Sequence, residues 1–335
     1  MPEIIVLDVG HGNCTLLFAK QAGARKVTVI DVPPGDTLLT FLNRRNIRRI
    51  DEILISHFDR DHYGGLPTLL HQPNLHFGNL WYNPDSTKHN RAHFASFQKV
   101  LEAAEAEGRI SAKGVLTRGY PSNLPFDDCE IEVLGPSAGS AVSGPGGRDA
   151  RGKKLTSNTM SAVLRIVSAG QGELLLPGDL DQTGLENLLN RQPSLTAKAL
   201  VFPHHGGRPA DADPAIFART LGTAVKPEVV IFSVRRGDLP RPEIVASLIE
   251  TQPGVHIACT QLSKHCSDTT PDSHSHLHET VASGRGKGHC CAGTITYSIS
   301  NGRQTWTPKL TEHSDFVRHN FSKALCQIGR RHSIG

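Results

Sequence analysis

Apolar residues along this chain come in short blocks separated by turn residues. EIIVLDVG (3–10), CTLLFAK (14–20) and KVTVIDVP (26–33) read as strands, with HGN (11–13) as a turn between the first two. GDTLLTFLNRRNIRRID then carries leucines and isoleucines at helical spacing, with Asp36 or Thr37 as N-cap. EILIS (52–56) is a continuously apolar strand of the kind buried on both faces. Further along, LPTLLHQ reads as a short helix, FGNLWYN as a strand, FASFQKVLEAAEAEG as a longer helix and CEIEVLGP as another strand. Residues 135–154 are rich in Gly, Ser and Pro and read as a flexible loop. The second half repeats the alternation. SAVLRIVSAG and GELLLPGD form a hairpin, QTGLENLLNRQ a helix, and AKALVFPHHGG, PEVVIFSV, VHIACTQ and GTITYSIS further strands. The pattern predicts a layered α/β domain with polar residues gathered at strand ends.

Composition adds bounds to this picture. With 335 residues, 38% hydrophobic and 20% charged, the chain can bury a sizeable core and is not of disordered type. A net charge of +4, spread along the chain, permits a polyanionic partner without demanding one. No apolar run reaches the length of a membrane span, and the start lacks the basic region of a signal peptide. Seven cysteines, an odd number, argue against a disulfide framework. The expectation is a cytoplasmic protein without a membrane partner.

Three places pair an apolar strand with residues that bind metals. HFDRDHYGG (57–65) sets His57, Asp59, Asp61 and His62 directly after EILIS. Divalent ions need deprotonated or neutral donors on rigid elements, and two imidazoles with two carboxylates in one turn supply them. At strand-like spacing His57, Asp59 and Asp61 would share a side while His62 turns away. Asp179 follows ELLLPG, where Gly178 lets the backbone turn, although an N-cap role is the plainer reading of Asp179 alone. His204 and His205 follow LVFP and precede two glycines.

In order, DVGHGN, SHFDRDHYGGL, LPGDLD and VFPHHGG resemble the metallo-β-lactamase family, and within it the ComEC-type nuclease-like domains of DNA-uptake proteins. The resemblance implies a four-layered αββα sandwich over residues 1–300, with loops at 135–154 and 260–291 and an extension over 301–335. It implies two divalent ions, Zn²⁺ or Mn²⁺ with Mg²⁺ as a third candidate. His57 and Asp59 would hold the first and Asp61 and His62 the second. Asp179 would bridge them, and His204 or His205 would complete the second site, His204 being favoured. Asp61 and His205 are the expected catalytic residues, and His11, Asn13, Asn158 and Arg208 the expected substrate-binding ones. Two positions depart from the commonest motif: Asp59 stands where histidine is usual, and Asn158 where a third-motif histidine would be. Both shift the first site towards oxygen donors.

The resemblance further implies hydrolysis of a phosphodiester in DNA or RNA. Arg60, Arg208, Arg235, Arg236 and Arg241 are placed to hold phosphates, and a protein partner in a DNA-processing or defence system is expected. A small phosphoester or lactone is the alternative substrate, and a non-catalytic interaction module is the alternative class. Near the C-terminal end, Cys259, Cys266, Cys290 and Cys291 form a candidate structural metal site, though without C-x-x-C spacing. The histidines at 274, 276 and 278 read as an exposed loop.

Overall fold

The computed structural model describes residues 1–121, 123–191, 194–210, 212–271, 274–300 and 303–327. Its strands, in chain order, are β1 (Glu3–Val6), β2 (Thr15–Gln21), β3 (Ala24–Ile30), β4 (Arg49–Leu54), β5 (His76–Trp81), β6 (Ser111–Lys113), β7 (Leu124–Pro125) and β8 (Glu130–Gly135). They continue with β9 (Val163–Ser168), β10 (Gln171–Leu176), β11 (Ala199–Val201), β12 (Val229–Phe232), β13 (His256–Cys259), β14 (Ile295–Ser300) and β15 (Arg303–Thr307). The helices are α1 (Thr37–Arg44), α2 (Arg60–Tyr63), α3 (Leu66–Leu70), α4 (Ala92–Ala106), α5 (Ala138–Ser143), α6 (Gln182–Leu189), α7 (Pro214–Val225), α8 (Pro242–Thr251) and α9 (Leu310–Asn320).

One sheet has the order β15-β14-β1-β2-β3-β4-β5-β6, the other β13-β12-β11-β10-β9-β8-β7. Each starts as an antiparallel meander and ends in parallel strands: β3 to β6 in the first, β10 to β13 in the second. The parallel strands are joined by helical or loop crossovers, and they read as unbroken apolar runs because both faces are covered. The sheets meet across one apolar layer in which Leu17, Ile30 and Leu54 of the first pack with Leu164, Leu176 and Ile231 of the second. On the outer side of the first sheet, Phe41, Leu69 and Phe97 of α1, α3 and α4 cover Ile5, Val29 and Ile53. Outside the second, Leu185, Phe217, Leu248 and Val317 of α6, α7, α8 and α9 cover Leu175, Leu200 and Val230. The result is the expected αββα sandwich. Its parallel strands carry polar loops at their C-terminal ends, the usual place for a site in α/β sheets.

Several elements differ from expectation. Within 135–154, Ala138–Ser143 is helical because the Ser137 side chain accepts from the Ser140 N–H. Beyond residue 300, β15 pairs antiparallel with β14, and Phe316 and Val317 of α9 enter the outer core. Residues 301–302 and 328–335 of the anticipated extension lie outside the described residues. The histidine-rich segment is not simply exposed. His276 is buried, stacks on Phe316 at 3.8 Å and donates to the Cys291 carbonyl at 2.6 Å, whereas His278 is exposed and pairs with Glu312. Among the described residues no helix is long and apolar enough to cross a membrane.

Candidate metal centre

The segment after β4 is where the local structure departs most from a simple extension of the strand. Asp59 is extended, and Arg60–Tyr63 then forms one helical turn. Asp61 and His62 are therefore neighbours on a helical turn, and His62 does not turn away: it is fully buried and faces the site. The glycine pair packs tightly against the chain, since a Cβ on Gly65 would lie 2.2 Å from the Pro33 carbonyl oxygen. After β10, Gly178 has φ +57° and sits against Ser56, so the chain turns and delivers Asp179 inward. It is Asp181, not Asp179, that caps α6, accepting from the Gly184 N–H at 2.8 Å.

Asp61, His62, Asp179 and His205 bring one donor atom each to within 4.8 Å of one another, the only such group of three or more metal-binding side chains among the described residues. His205, rather than the favoured His204, completes it. His204 donates its backbone N–H to Asp179 Oδ1 at 3.0 Å, and its Nδ1 is 3.7 Å from Asp179 Oδ2. Both histidines have left-handed backbones, φ +52° and +55°, a conformation that is uncommon for residues with a Cβ and tends to collect at functional sites. The double turn sends the neighbouring rings to different partners.

Hydrogen bonding fixes the tautomers. The Ser56 hydroxyl donates its one proton to Asp31 Oδ2 at 2.8 Å, so its oxygen accepts from His57 Nδ1 at 3.0 Å. His62 Nδ1 donates to Asp31 Oδ2 at 2.7 Å, and His205 Nδ1 donates to the Ser233 carbonyl at 2.8 Å. All three rings thus carry a proton on Nδ1 and turn Nε2 towards the site. Nε2 of His57, His62 and His204 are buried with no hydrogen-bond partner. His205 Nε2 stands 3.1 Å from Asp61 Oδ2, and His62 Nε2 stands 3.4 Å from Asp179 Oδ1. A bare imidazole nitrogen facing a carboxylate oxygen is repulsive unless a proton or a cation lies between them. Orphaned Nε2 atoms beside carboxylates, with each Nδ1 held by an outer partner, suit a divalent ion.

Charges point the same way. Burial opposes a charged His62, but Asp179 and Asp31 outweigh it and raise the ring well above its ordinary value. Burial likewise opposes an ionised Asp61, yet the hydrogen bond from His205 and the charge on His62 leave it at about 2. Asp179, wholly buried, is held well below the carboxylate range by His62 and His205 against the pull of desolvation. Two ionised acids in a buried pocket call for positive charge.

A second, looser group lies beside the first. His57 Nε2 is 3.6 Å from Asp59 Oδ2, and Lys88 forms an ion pair with Asp59 Oδ1. His57, Asp59 and His204 do not close into a donor group. At the mouth, half-exposed His11 places Nε2 3.3 Å from Asp61 Oδ2, with its ring 4.8 Å from that of His205. Burial and the neighbouring His205 lower its pKa. Asn13 is buried, with Oδ1 unpartnered, beside a water-sized cavity shared with Asp31 and Ser56. Asn158 is half-buried on the turn before β9 and is not one of the four donors.

Arg60, Arg208 and Arg235 are exposed. Two of the expected phosphate holders have other work. Arg236 donates to the carbonyls of Leu262, Ser267 and Asp268, and Arg241 pairs with Glu243. The expected cysteine site is not assembled as drawn. Cys290 Sγ turns to Asp8 Oδ2 at 3.5 Å, whereas Cys259, Cys266 and Cys291 line an apolar cavity together with Cys326. Residue patterns missed Asp31, Ser56, Ser233 and Lys88. Asp31 follows an apolar strand just as Asp179 does and could have been found by that rule; a lone lysine after NPDST carries no such signal.

The family model of the metallo-β-lactamase superfamily matches residues 7–140. The chain is 27% identical over 231 residues to the competence protein ComA of Neisseria gonorrhoeae, covering 69% of this chain and 26% of that one. It is 27% identical over 254 residues to ComE operon protein 3 of Bacillus subtilis, covering 67% and 28%. The chain therefore spans little more than a quarter of the length of these relatives. Among solved structures, Tm1679, a metal-dependent hydrolase of the β-lactamase superfamily, aligns with a TM-score of 0.47 at 15% identity, covering 77% of this chain and 96% of that one. Igni18, a metallo hydrolase from Ignicoccus hospitalis, aligns with a TM-score of 0.41 at 14% identity, covering 75% and 91%.

Proposed function

Since this chain carries a metallo-β-lactamase domain, the fold of a superfamily of metal-dependent hydrolases, and is similar to ComEC-type competence proteins, we propose that it hydrolyses phosphodiester bonds in nucleic acid. The observation that carries the reading is the buried convergence of His62 and His205, each held at Nδ1 by an outer partner with Nε2 turned inward, with the ionised carboxylates of Asp61 and Asp179. These four would hold a divalent ion, with Mn²⁺ and Zn²⁺ both suited to a donor set of two nitrogens and two oxygens. Such an ion supplies Lewis acidity towards a phosphoryl oxygen and the attacking water.

The chain's own residues supply the rest. Asp61 Oδ2, shared between His205 and His11, orients the attacking water. His11 Nε2, half exposed and 3.3 Å from that oxygen, carries a proton between the water and the leaving oxygen. Asp31 and Ser56 keep the imidazoles in register and exchange no proton with substrate. Arg235, whose charge is felt at His11, and exposed Arg60 and Arg208 supply phosphate contacts at the mouth.

The test is cleavage of single- and double-stranded DNA with Mn²⁺, Mg²⁺ or Zn²⁺, alongside metal analysis. Asp179→Asn and His205→Ala are expected to lose bound metal and at least 100-fold in cleavage. Unchanged metal content and cleavage in both variants would refute the assignment.

A further inference from the structure

Within the proposed centre the two halves differ in one respect that the motif does not foretell. The half formed by Asp61, His62, Asp179 and His205 carries two carboxylates, and among the described residues neither forms an ion pair with a lysine or arginine. The half formed by His57, Asp59 and His204 has one carboxylate, and that carboxylate already holds the Lys88 ammonium. Lys88 is not a loose surface residue resting there by chance. Its side chain is 18% exposed and rises from a short 3₁₀ turn, Ser86–Lys88. Buried Asp85 caps that turn, accepting from the Thr87 N–H at 2.9 Å, and also accepts from the Ser157 hydroxyl. The lysine is thus fixed through Asp85 to the segment that precedes β9.

We propose that Lys88 occupies, as a fixed positive charge, the position a second divalent ion would take at Asp59, so that the protein holds one ion rather than two. This rests on the reading of the four-donor centre given above. The half-site His57, Asp59, His204 and Lys88 is electrically balanced, with one negative and one positive charge beside two imidazoles. A divalent ion entering there meets an ammonium on the far oxygen of Asp59, while the other nearby carboxylate, Asp179, is already engaged by the four-donor half. The four-donor half has two negative charges to compensate and is the place the first ion goes.

The test is equilibrium dialysis of the full chain against Mn²⁺ with elemental analysis, and electron paramagnetic resonance to detect a spin-coupled Mn²⁺ pair. The expected result is one ion in the parent protein, two with coupling in Lys88→Met, and one in Lys88→Arg, which keeps the charge. Two ions in the parent protein would overturn the inference and leave the four-donor centre standing. One ion in both the parent and Lys88→Met would also overturn it, since the lysine would then exclude nothing. No bound ion in any of the three proteins overturns the centre itself and the inference with it.

Discussion

At the scale of single residues, the centre depends as much on the groups behind the donors as on the donors. Asp31 has φ +61° and spends one carboxylate on the Ser56 N–H and hydroxyl and on His62 Nδ1. Replacement by Asn suits that backbone, because Asn tolerates the left-handed region. It removes the charge that orients His62 while leaving the amide oxygen as acceptor. Asp31→Asn is expected to fold normally and to weaken metal binding about 10–100-fold, the usual effect of losing an outer partner. Competition with a chromogenic chelator measures it, and parent-like affinity would show that Asp31 serves the fold alone. The four converging side chains were legible because each follows an apolar strand: Asp61 and His62 after β4, Asp179 after β10, and His205 after β11. What could not be read was which of two adjacent histidines joins the other three side chains. That choice depends on two successive left-handed residues, and a string of letters carries no sign of handedness.

At the scale of elements, strand pairing in the parallel region is reinforced by a side-chain clamp. Asp51 on β4 accepts from the Val27 N–H of β3 at 3.0 Å, from Lys26 at 3.1 Å and from Arg49 at 2.8 Å. Burial works against its ionisation, but these donors win and lower its pKa. A depressed carboxylate stabilises above the ordinary value of about 3.9 and loses that contribution as pH falls through the folded value. Asp51→Asn is therefore expected to cost about 1–2 kcal/mol near neutral pH, with the difference from the parent shrinking towards zero in acid. Urea denaturation at several pH values checks this, and a pH-independent difference would contradict it. Most of the long strands and the α4 helix were readable from periodicity, since β-branched runs and helical spacing are local properties. The turn Arg60–Tyr63 was not, because four residues are too few to show a period. Nor were β15 and α9, whose apolar residues are sparse and gain meaning only from β14 and the core of the second sheet.

For the whole molecule, the proposed centre joins two sheets that meet mainly through apolar side chains, with Glu173 of β10 accepting from Tyr297 of β14 as a polar exception. Asp61 and His62 come from the first sheet, Asp179 and His205 from the second. An ion held by all four would bind the folded chain and not the unfolded one. At a free concentration 100 times its dissociation constant it should add about 2.7 kcal/mol to stability. Chelation should lower the denaturation midpoint by several degrees, and Asp179→Asn should abolish that sensitivity. A midpoint indifferent to both chelator and added Mn²⁺ would mean that no ion spans the sheets. The sandwich itself was foreseeable from the motif order, whereas the closure of the first sheet by strands from the far end of the chain was not.

That closure shapes how the protein is made. β1 pairs on one side with β2, a few residues on, and on the other with β14, nearly 300 residues later. Until β14 pairs, β1 offers an open row of backbone donors and acceptors flanked by the apolar side chains of Ile4, Ile5 and Val6, the kind of edge that recruits foreign strands. Contacts of such long range slow folding, so this edge stays open to aggregation longer than the edge of a local hairpin would.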